Sequence, residues 1–395
     1  MRSIWKISLG AVAVLAACTQ RMDSASRATP SVTSPAPASE PAAPPTAAPA
    51  PPSRPVYRRG WAAPAAARQQ VRLNGQLHWL QLAAETDSTK RLTAEYEPIP
   101  GHKERVRGYE GYFTFALRDA AGQPVFSRQL RKADFFQVAG ADIVTESTAR
   151  LPVLLGYSPL HKALVFTLDF VVPDSDVGTQ VVLLLSPSGE VQRLSQGRSA
   201  GGGPDCQPAI STDGYAILTA TELLRPRLPA LPLRKPDADL VGAAFVSDTA
   251  FLVVYAPGAT HLLEGPGGLE SYGRTPTPQQ QREANAFVRH THSGRVLSKF
   301  RYDGFYDELG YTIPRHYLPA TRTHYLLDAR RGLRLLPART TAVPTELRFA
   351  NMAAFAPPQT PREVRFELQG DGVAFAFYVD TTSRAPRIRY RKLAQ

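Results

Sequence analysis

From residue 69 onward, hydrophobic and polar residues alternate in short runs that are separated by Gly, Asp, Asn and Pro. A period of two is typical of β-strands with one buried face, and no long stretch has the spacing of an amphipathic helix. Residues 71–79 place Asn74 and Gly75 between two alternating runs, which predicts a β-hairpin with a tight turn. The chain is therefore predicted to be mainly β.

Further strands follow from the same pattern. Residues 112–117 and 125–130 are predicted to form a hairpin around the turn at 119–122. Residues 164–172 and 181–185 are apolar enough to be central strands. Residues 387–392 alternate cationic and apolar side chains, which favours an edge strand with one basic face.

A glycine-rich, polar passage at residues 196–204 is the best candidate for a domain boundary. It divides the chain into two β-rich parts, 69–197 and 205–395, each predicted to be sandwich-like. The second part repeats a strand, a Ser/Asp turn and another strand, for example at 210–218 and 245–254. Such recurring hairpins are similar to the blades of β-propellers, so a propeller-like second part is the alternative.

The first 17 residues are predicted to be an export signal. Arg2 and Lys6 precede an apolar run at residues 7–15, which is too short to span a bilayer permanently. Ala16 and Ala17 then lead directly to Cys18. This ending resembles the lipobox of bacterial lipoproteins, which implies that the Cys18 thiol is diacylated, the chain is cut before it and the new amine is acylated. An ordinary secretory signal is the alternative.

Residues 18–60 are rich in Pro, Ala, Ser and Thr and contain few large apolar side chains. Burial cannot offset the entropy of ordering such a segment, so it is predicted to be a disordered tether. In polyproline II form, at about 3.1 Å per residue, it would reach on the order of 100 Å from a membrane. Thr19 follows the lipobox cysteine in place of Asp, which by the resemblance implies an outer-membrane lipoprotein. The lack of an acidic run after Cys18 favours the periplasmic side.

The chain has 395 residues and a formal net charge of +12. Removal of the signal takes away Arg2 and Lys6 and leaves 12 − 2 = +10. A basic exported protein favours anionic partners such as envelope glycans or lipid head groups, and nucleic acid is not expected. Cys18 and Cys206 are the two cysteines, so a lipidated Cys18 leaves Cys206 without a disulfide partner.

Aromatic and ionic residues are densest between residues 300 and 317. Rings that stack on sugars, beside carboxylates and arginines that bind hydroxyls, are typical of glycan-binding sites. The candidate binding residues are Arg301, Tyr302, Asp303, Tyr306 and Tyr311. Two suitably spaced carboxylates also serve glycosidic cleavage, for which the candidates are Asp303, Asp307 and Glu308. Packing of a loop is the competing interpretation.

Metal-ligating patterns are weak, and no cofactor is expected. His290 and His292 would face the same side of an extended strand, but a third ligand is not nearby in the sequence. Asp174 and Asp176 begin like a calcium loop, yet Leu185 stands where a bidentate Glu is needed. We therefore expect a lipid-anchored envelope protein that is a non-catalytic binding or scaffold module. An envelope glycan hydrolase is the alternative.

Overall fold

The computed structural model describes residues 64–99, 102–200, 204–235, 238–258, 260–264, 270–307, 310–328, 330–339, 344–370, 372–382 and 387–393. The predicted signal peptide and tether lie outside these residues. Strands account for 60% of the structure and helices for 8%, which confirms the prediction of a mainly β protein.

Within the described residues the strands form six four-stranded sheets, numbered here in chain order. Sheet 1 contains β1 (Ala65–Leu73), β2 (Gln76–Ile99), β3 (His102–Asp119) and β4 (Pro124–Arg131). Sheet 2 contains β5 (Val153–Ser158), β6 (Ala163–Val171), β7 (Gly178–Leu185) and β8 (Val191–Ala200). Sheet 3 contains β9 (Ala209–Ile210), β10 (Ile217–Leu218), β11 (Glu222–Arg225) and β12 (Leu228–Pro232).

The remaining strands continue this series. Sheet 4 contains β13 (Leu240–Ser247), β14 (Ala250–Tyr255), β17 (Ala286–His290) and β18 (Val296–Phe300), with the hairpin β15 (Thr260–Glu264) and β16 (Glu270–Arg274) inserted. A second hairpin, β19 (Phe305–Asp307) and β20 (Gly310–Thr312), precedes sheet 5. Sheet 5 contains β21 (Arg315–Leu318), β22 (Thr323–Asp328), β23 (Gly332–Pro337) and β24 (Thr345–Leu347). Sheet 6 contains β25 (Ala353–Ala354), β26 (Glu363–Gly370), β27 (Val373–Asp380) and β28 (Ile388–Lys392).

Short helices connect some of the sheets. The α-helices are α1 (Phe136–Ala139), α2 (Ala141–Glu146) and α3 (Pro278–Arg282), and the 3-10 helices are Lys132–Phe135 and Phe349–Asn351. Helix α3 begins with a capping box, in which the Thr277 hydroxyl accepts a hydrogen bond from the Gln280 N–H and the Gln280 side-chain oxygen accepts one from the Thr277 N–H.

Turn chemistry sets several of the hairpins. Asn74 and Gly75 join β1 to β2 with φ values of 50° and 83°, as a type I′ turn requires. The predicted hairpin around 119–122 is formed by β3 and β4. The prediction that residues 387–392 form an edge strand was wrong. Strand β28 lies between β27 and the two-residue strand β25, which pairs with it in parallel.

Each sheet packs its apolar face on the next sheet in chain order. Phe113 and Phe115 of sheet 1 meet Phe170 and Phe166 of sheet 2 with ring centroids 5.8 and 4.9 Å apart. Four further apolar clusters lie between sheets 2 and 3, 3 and 4, 4 and 5, and 5 and 6. Pairs of sheets are thus sandwich-like, as predicted.

Burial on both faces explains why some strands do not alternate. Leu164 and Phe166 of β6 face the core shared with sheet 1, whereas Val165 faces the core shared with sheet 3. Such a strand is continuously apolar because neither face is exposed to water. Serial packing in chain order is also the arrangement of propeller blades, and that alternative stays a prediction. The domain division near residue 200 also stays a prediction, since residues 201–203 lie outside the described residues.

Candidate functional site

The aromatic stretch at residues 300–317 lies where sheet 4 meets sheet 5. Tyr302 is 1% exposed and belongs to the core between these sheets. Its hydroxyl donates to the Leu327 carbonyl at 2.7 Å, and Asn285 binds both its backbone N–H and its carbonyl. The structure therefore uses this ring for packing, and it presents no face on which a sugar would stack.

Arg301 and Asp303 lie in an arginine network, which we define as Arg301, Asp303, Arg331, Arg334 and Glu346. Arg301 Nη2 is 2.5 Å from Asp303 Oδ1, and Arg334 Nη2 is 2.5 Å from Glu346 Oε2. Arg331 bridges the two acids at 4.0 and 3.7 Å. Arg334 is buried, which lowers its pKa, and Glu346 partly opposes this shift. The network thus joins the segment after β18 to β23 and β24 by paired charges.

Asp328, which the sequence pattern did not single out as a site residue, lies beside this network. Its carboxylate is buried and accepts backbone N–H bonds from Asp303, Arg330 and Arg331 at 3.0 to 3.1 Å. Burial raises its pKa, and the neighbouring Asp303 adds to this, while the backbone bonds oppose it. A carboxylate that caps a hairpin turn in this way is already satisfied.

The other residues of the stretch are placed only in part. Tyr311 is buried, and its hydroxyl accepts a bond of 2.9 Å from the Gly304 N–H. The backbone of Tyr306 and Asp307 belongs to β19, but their side chains and all of Glu308 lie outside the described residues. Glycan binding or catalysis by these three stays a prediction.

The paired histidines are not on one extended strand. Strand β17 ends at His290, and His292 lies in the following turn. The His292 ring stacks on Tyr215 with centroids 3.6 Å apart, and its Nε2 is 3.8 Å from Asp213 Oδ2. His290 Nδ1 instead accepts a hydrogen bond from the Ser293 N–H. Both imidazoles therefore have local structural partners in the two turns.

Asp174 and Asp176 are exposed in the turn between β6 and β7, where Asp174 has a φ of 57°. Within the part of the chain that the structure describes, no group of three or more His, Cys, Asp or Glu side chains is arranged to hold a metal ion. The buried Cys206 donates its thiol to the Thr219 carbonyl at 3.0 Å. Burial raises its pKa to about 12, so the reactive thiolate does not form at neutral pH.

A cavity of about 240 Å³ opens where sheets 2, 3 and 4 meet. We call it the cationic cleft, and its lining includes Gln196, Gly197, Thr221, Arg234, Lys235 and Asp239. Strand β8 carries a bulge at Gly197, since Val181 pairs with Gln196 while Thr179 pairs with Ser199. Such bulges interrupt a strand ladder and bend the strand locally, here at the wall of the cleft.

Two cations stand at the cleft. Lys235 Nζ lies 4.2 Å from the centroid of the Tyr255 ring and 4.0 Å from that of Phe287. Arg234 Nη2 donates to the neutral Gln196 Oε1 at 3.2 Å. Asp239 is paired with Arg274 at 2.9 Å. Within the described residues neither Arg234 nor Lys235 is paired with a carboxylate, so these two side chains give the described lining a net positive charge.

Comparison with protein-family models and with curated proteins finds no match for this chain. Among the described residues, no helix has the length and apolar character needed to cross a membrane.

Proposed function

We propose that the chain is a lipid-anchored protein of the bacterial cell envelope whose β-rich part is a non-catalytic binding or scaffold module. The export signal and Cys18 support the anchor, and the Pro/Ala-rich segment at 18–60 supports a spacer between the membrane and the sheets. Thr19 and the lack of an acidic run after it favour the outer membrane and the periplasmic side.

The proposal that the module is non-catalytic is supported by the way in which its acids are bound within the fold. Asp303 of the aromatic stretch and the neighbouring Asp328 are committed to the fold, since Asp303 is paired with Arg301 at 2.5 Å and Asp328 accepts three backbone N–H bonds. Glycosidic cleavage needs two carboxylates that flank one substrate bond with room for a sugar between them. Carboxylates that are already bound within the fold in this way do not meet that need.

The alternative, an envelope glycan hydrolase, has one feature in its favour. Burial raises the pKa of Asp328 while the adjacent Asp303 is ion-paired, and two neighbouring acids in different environments are typical of acid–base pairs. The hydrolase hypothesis therefore rests on Asp303, with Asp307 and Glu308 as further candidates outside the described side chains.

Retention and turnover on polysaccharide extracted from a bacterial envelope separate the two hypotheses. We expect the purified protein to be retained without releasing reducing ends. We expect Asp303→Asn and the exposed turn variant Asp248→Asn to be retained equally well. Release of reducing ends that Asp303→Asn abolishes would establish the hydrolase, because a catalytic acid matters most in the transition state. Failure of the protein to be retained at all would contradict a binding module.

A further inference from the structure

The cationic cleft combines a concave, partly open volume with two cations that have no carboxylate partner among the described residues. Arg234 and Lys235 line the cleft together with Asp239, the only acid among its described lining residues, and Asp239 is paired with Arg274. Gln196 and Thr221 add neutral hydrogen-bonding groups to the lining. A concave site with a few convergent polar groups is the usual form of a ligand site, and here the excess charge selects an anion.

Lys235 is held in place by two aromatic rings and has no anionic partner among the described residues. Its ammonium lies over the Tyr255 and Phe287 rings, and the Tyr255 hydroxyl is fixed by a bond of 2.7 Å to the Leu233 carbonyl. Burial and the nearby positive charge of Arg289 both lower the pKa of Lys235. An anion beside this ammonium would offset both effects, so the field at the cleft favours a negatively charged ligand.

The size and the rim of the cleft narrow the class of ligand. Its volume of about 240 Å³ is below the roughly 300–1,000 Å³ that encloses a drug-sized molecule, so it accepts one charged group rather than a whole ligand. The large exposed hydrophobic side chains of the described residues, among them Leu160 and Leu228, do not line it. A membrane-binding face would place such side chains beside its cations, and this cleft does not.

We propose that the cationic cleft binds an acidic polysaccharide by taking up one carboxylate or phosphate group of a sugar residue between Arg234 and Lys235. This inference rests on the proposed binding function and assigns it a site and a ligand class. The rest of the polymer would lie along the exterior, where the positive net charge of the protein adds long-range attraction.

The test uses the mature chain from residue 18 with Cys18→Ala, so that no acyl chain contributes to vesicle binding. The probes are polygalacturonate, its methyl ester and vesicles of phosphatidylglycerol. The ester keeps the sugar backbone and loses the charge, and we expect it to bind at least about tenfold more weakly than polygalacturonate. We expect little binding to the vesicles.

The variants separate the cleft from general electrostatics. We expect the double variant Arg234→Gln/Lys235→Met to bind polygalacturonate at least about tenfold more weakly. The control Lys103→Met/Arg107→Gln removes the same charge from the long strands of sheet 1 and should stay within about twofold of the parent. Arg234 is exposed, so Arg234→Gln alone keeps the test valid if the double variant unfolds.

Several results would overturn the inference. If the cleft and control variants bind polygalacturonate equally weakly, the effect is one of general charge. If the methyl ester binds as tightly as polygalacturonate, the cleft does not recognise the negative charge. Binding to phosphatidylglycerol vesicles alone, lost in the cleft variant, would assign the cleft to lipid head groups. If the cleft variants are retained on envelope polysaccharide as strongly as the parent, the cleft is not the binding site. The proposed binding function would not be affected by that result. The turnover assay tests that function separately.

Discussion

Replacing Lys132 by Met should weaken the attachment of helix α2 to sheet 1. Lys132 is fully buried at the start of the 3-10 helix. Its Nζ donates to the carbonyls of Tyr109, Thr145 and Ser147 at 2.9, 3.2 and 2.6 Å. One ammonium thus joins strand β3 to the C-terminal end of α2, and Met fills similar space without any donor.

The expected loss follows from two opposing terms. Three carbonyls, of which those of Thr145 and Ser147 make buried bonds, lose this donor at roughly 2 kcal/mol each. Burial lowers the pKa of Lys132 from 10.5 to about 8, so the charged form costs about 3 kcal/mol at neutral pH, and Met removes this cost. Met also leaves the buried Glu110 without the cation that interacts with it. We expect the free energy of unfolding to fall by about 3 kcal/mol.

The difference between the wild type and Lys132→Met should depend on pH. The folded pKa of about 8 lies below the unfolded value of 10.5, so between these pH values the unfolded chain binds a proton that the folded chain does not. Stability contributed by Lys132 therefore rises as the pH rises through this window, and it is constant below pH 8.

Urea unfolding at pH 7 and at pH 10 measures both effects. Lys103→Met, on the exposed part of β3, is the matched control and should change stability by less than about 0.5 kcal/mol. Hydrogen exchange of the α2 amides should quicken only in Lys132→Met. A loss no larger than that of the control would refute the account of Lys132. A wild-type advantage that shrinks between pH 7 and pH 10 would show that the carbonyls, rather than burial, set its pKa.

Two further predictions concern packing and order. Gly108→Ala should lower the free energy of unfolding, measured in urea, by about 2 kcal/mol, because a Cβ would overlap the Thr145 carbonyl oxygen. The control Gly122→Ala has open space around it and a φ of 83°, and it should lower the free energy of unfolding by only about 1 kcal/mol. Equal losses would contradict this packing. Limited proteolysis should remove residues 18–60 and leave one or two resistant fragments, with the cut between two fragments near Gly201. A resistant fragment that retains the Pro/Ala segment would show that the segment is packed.

Local signals predicted much of the sheet structure. Asn74 and Gly75 specify their hairpin because both positions need a positive φ. Long apolar runs such as that of β6 identify strands that are buried on both faces. The extended ends of β2 and β3 were not predicted. Beyond Asp87 these strands pair mainly with each other, and their inward side chains, such as Ala94 and Val106, are too small and sparse to give a clear pattern.

The candidate sites depended on contacts that sequence spacing does not reveal. Tyr302 and Asp303 resemble a ligand platform until Leu327 and Asp328 of another sheet are brought against them. The cationic cleft is likewise assembled from β8, the β10–β11 turn and the segment after β12, so no local motif marks it. The edge-strand prediction for β28 failed because a pairing of only two residues covers that edge.

Anchoring through Cys18 is the claim on which the whole proposal depends, and fractionation combined with mass spectrometry tests it most directly. The protein expressed in a bacterial host should sediment with membranes, and its N-terminal peptide should begin at Cys18 with the mass of the added acyl groups. Cys18→Ala should move the protein to the soluble fraction. A soluble wild-type protein whose N-terminal peptide lacks acyl groups would contradict the lipoprotein account.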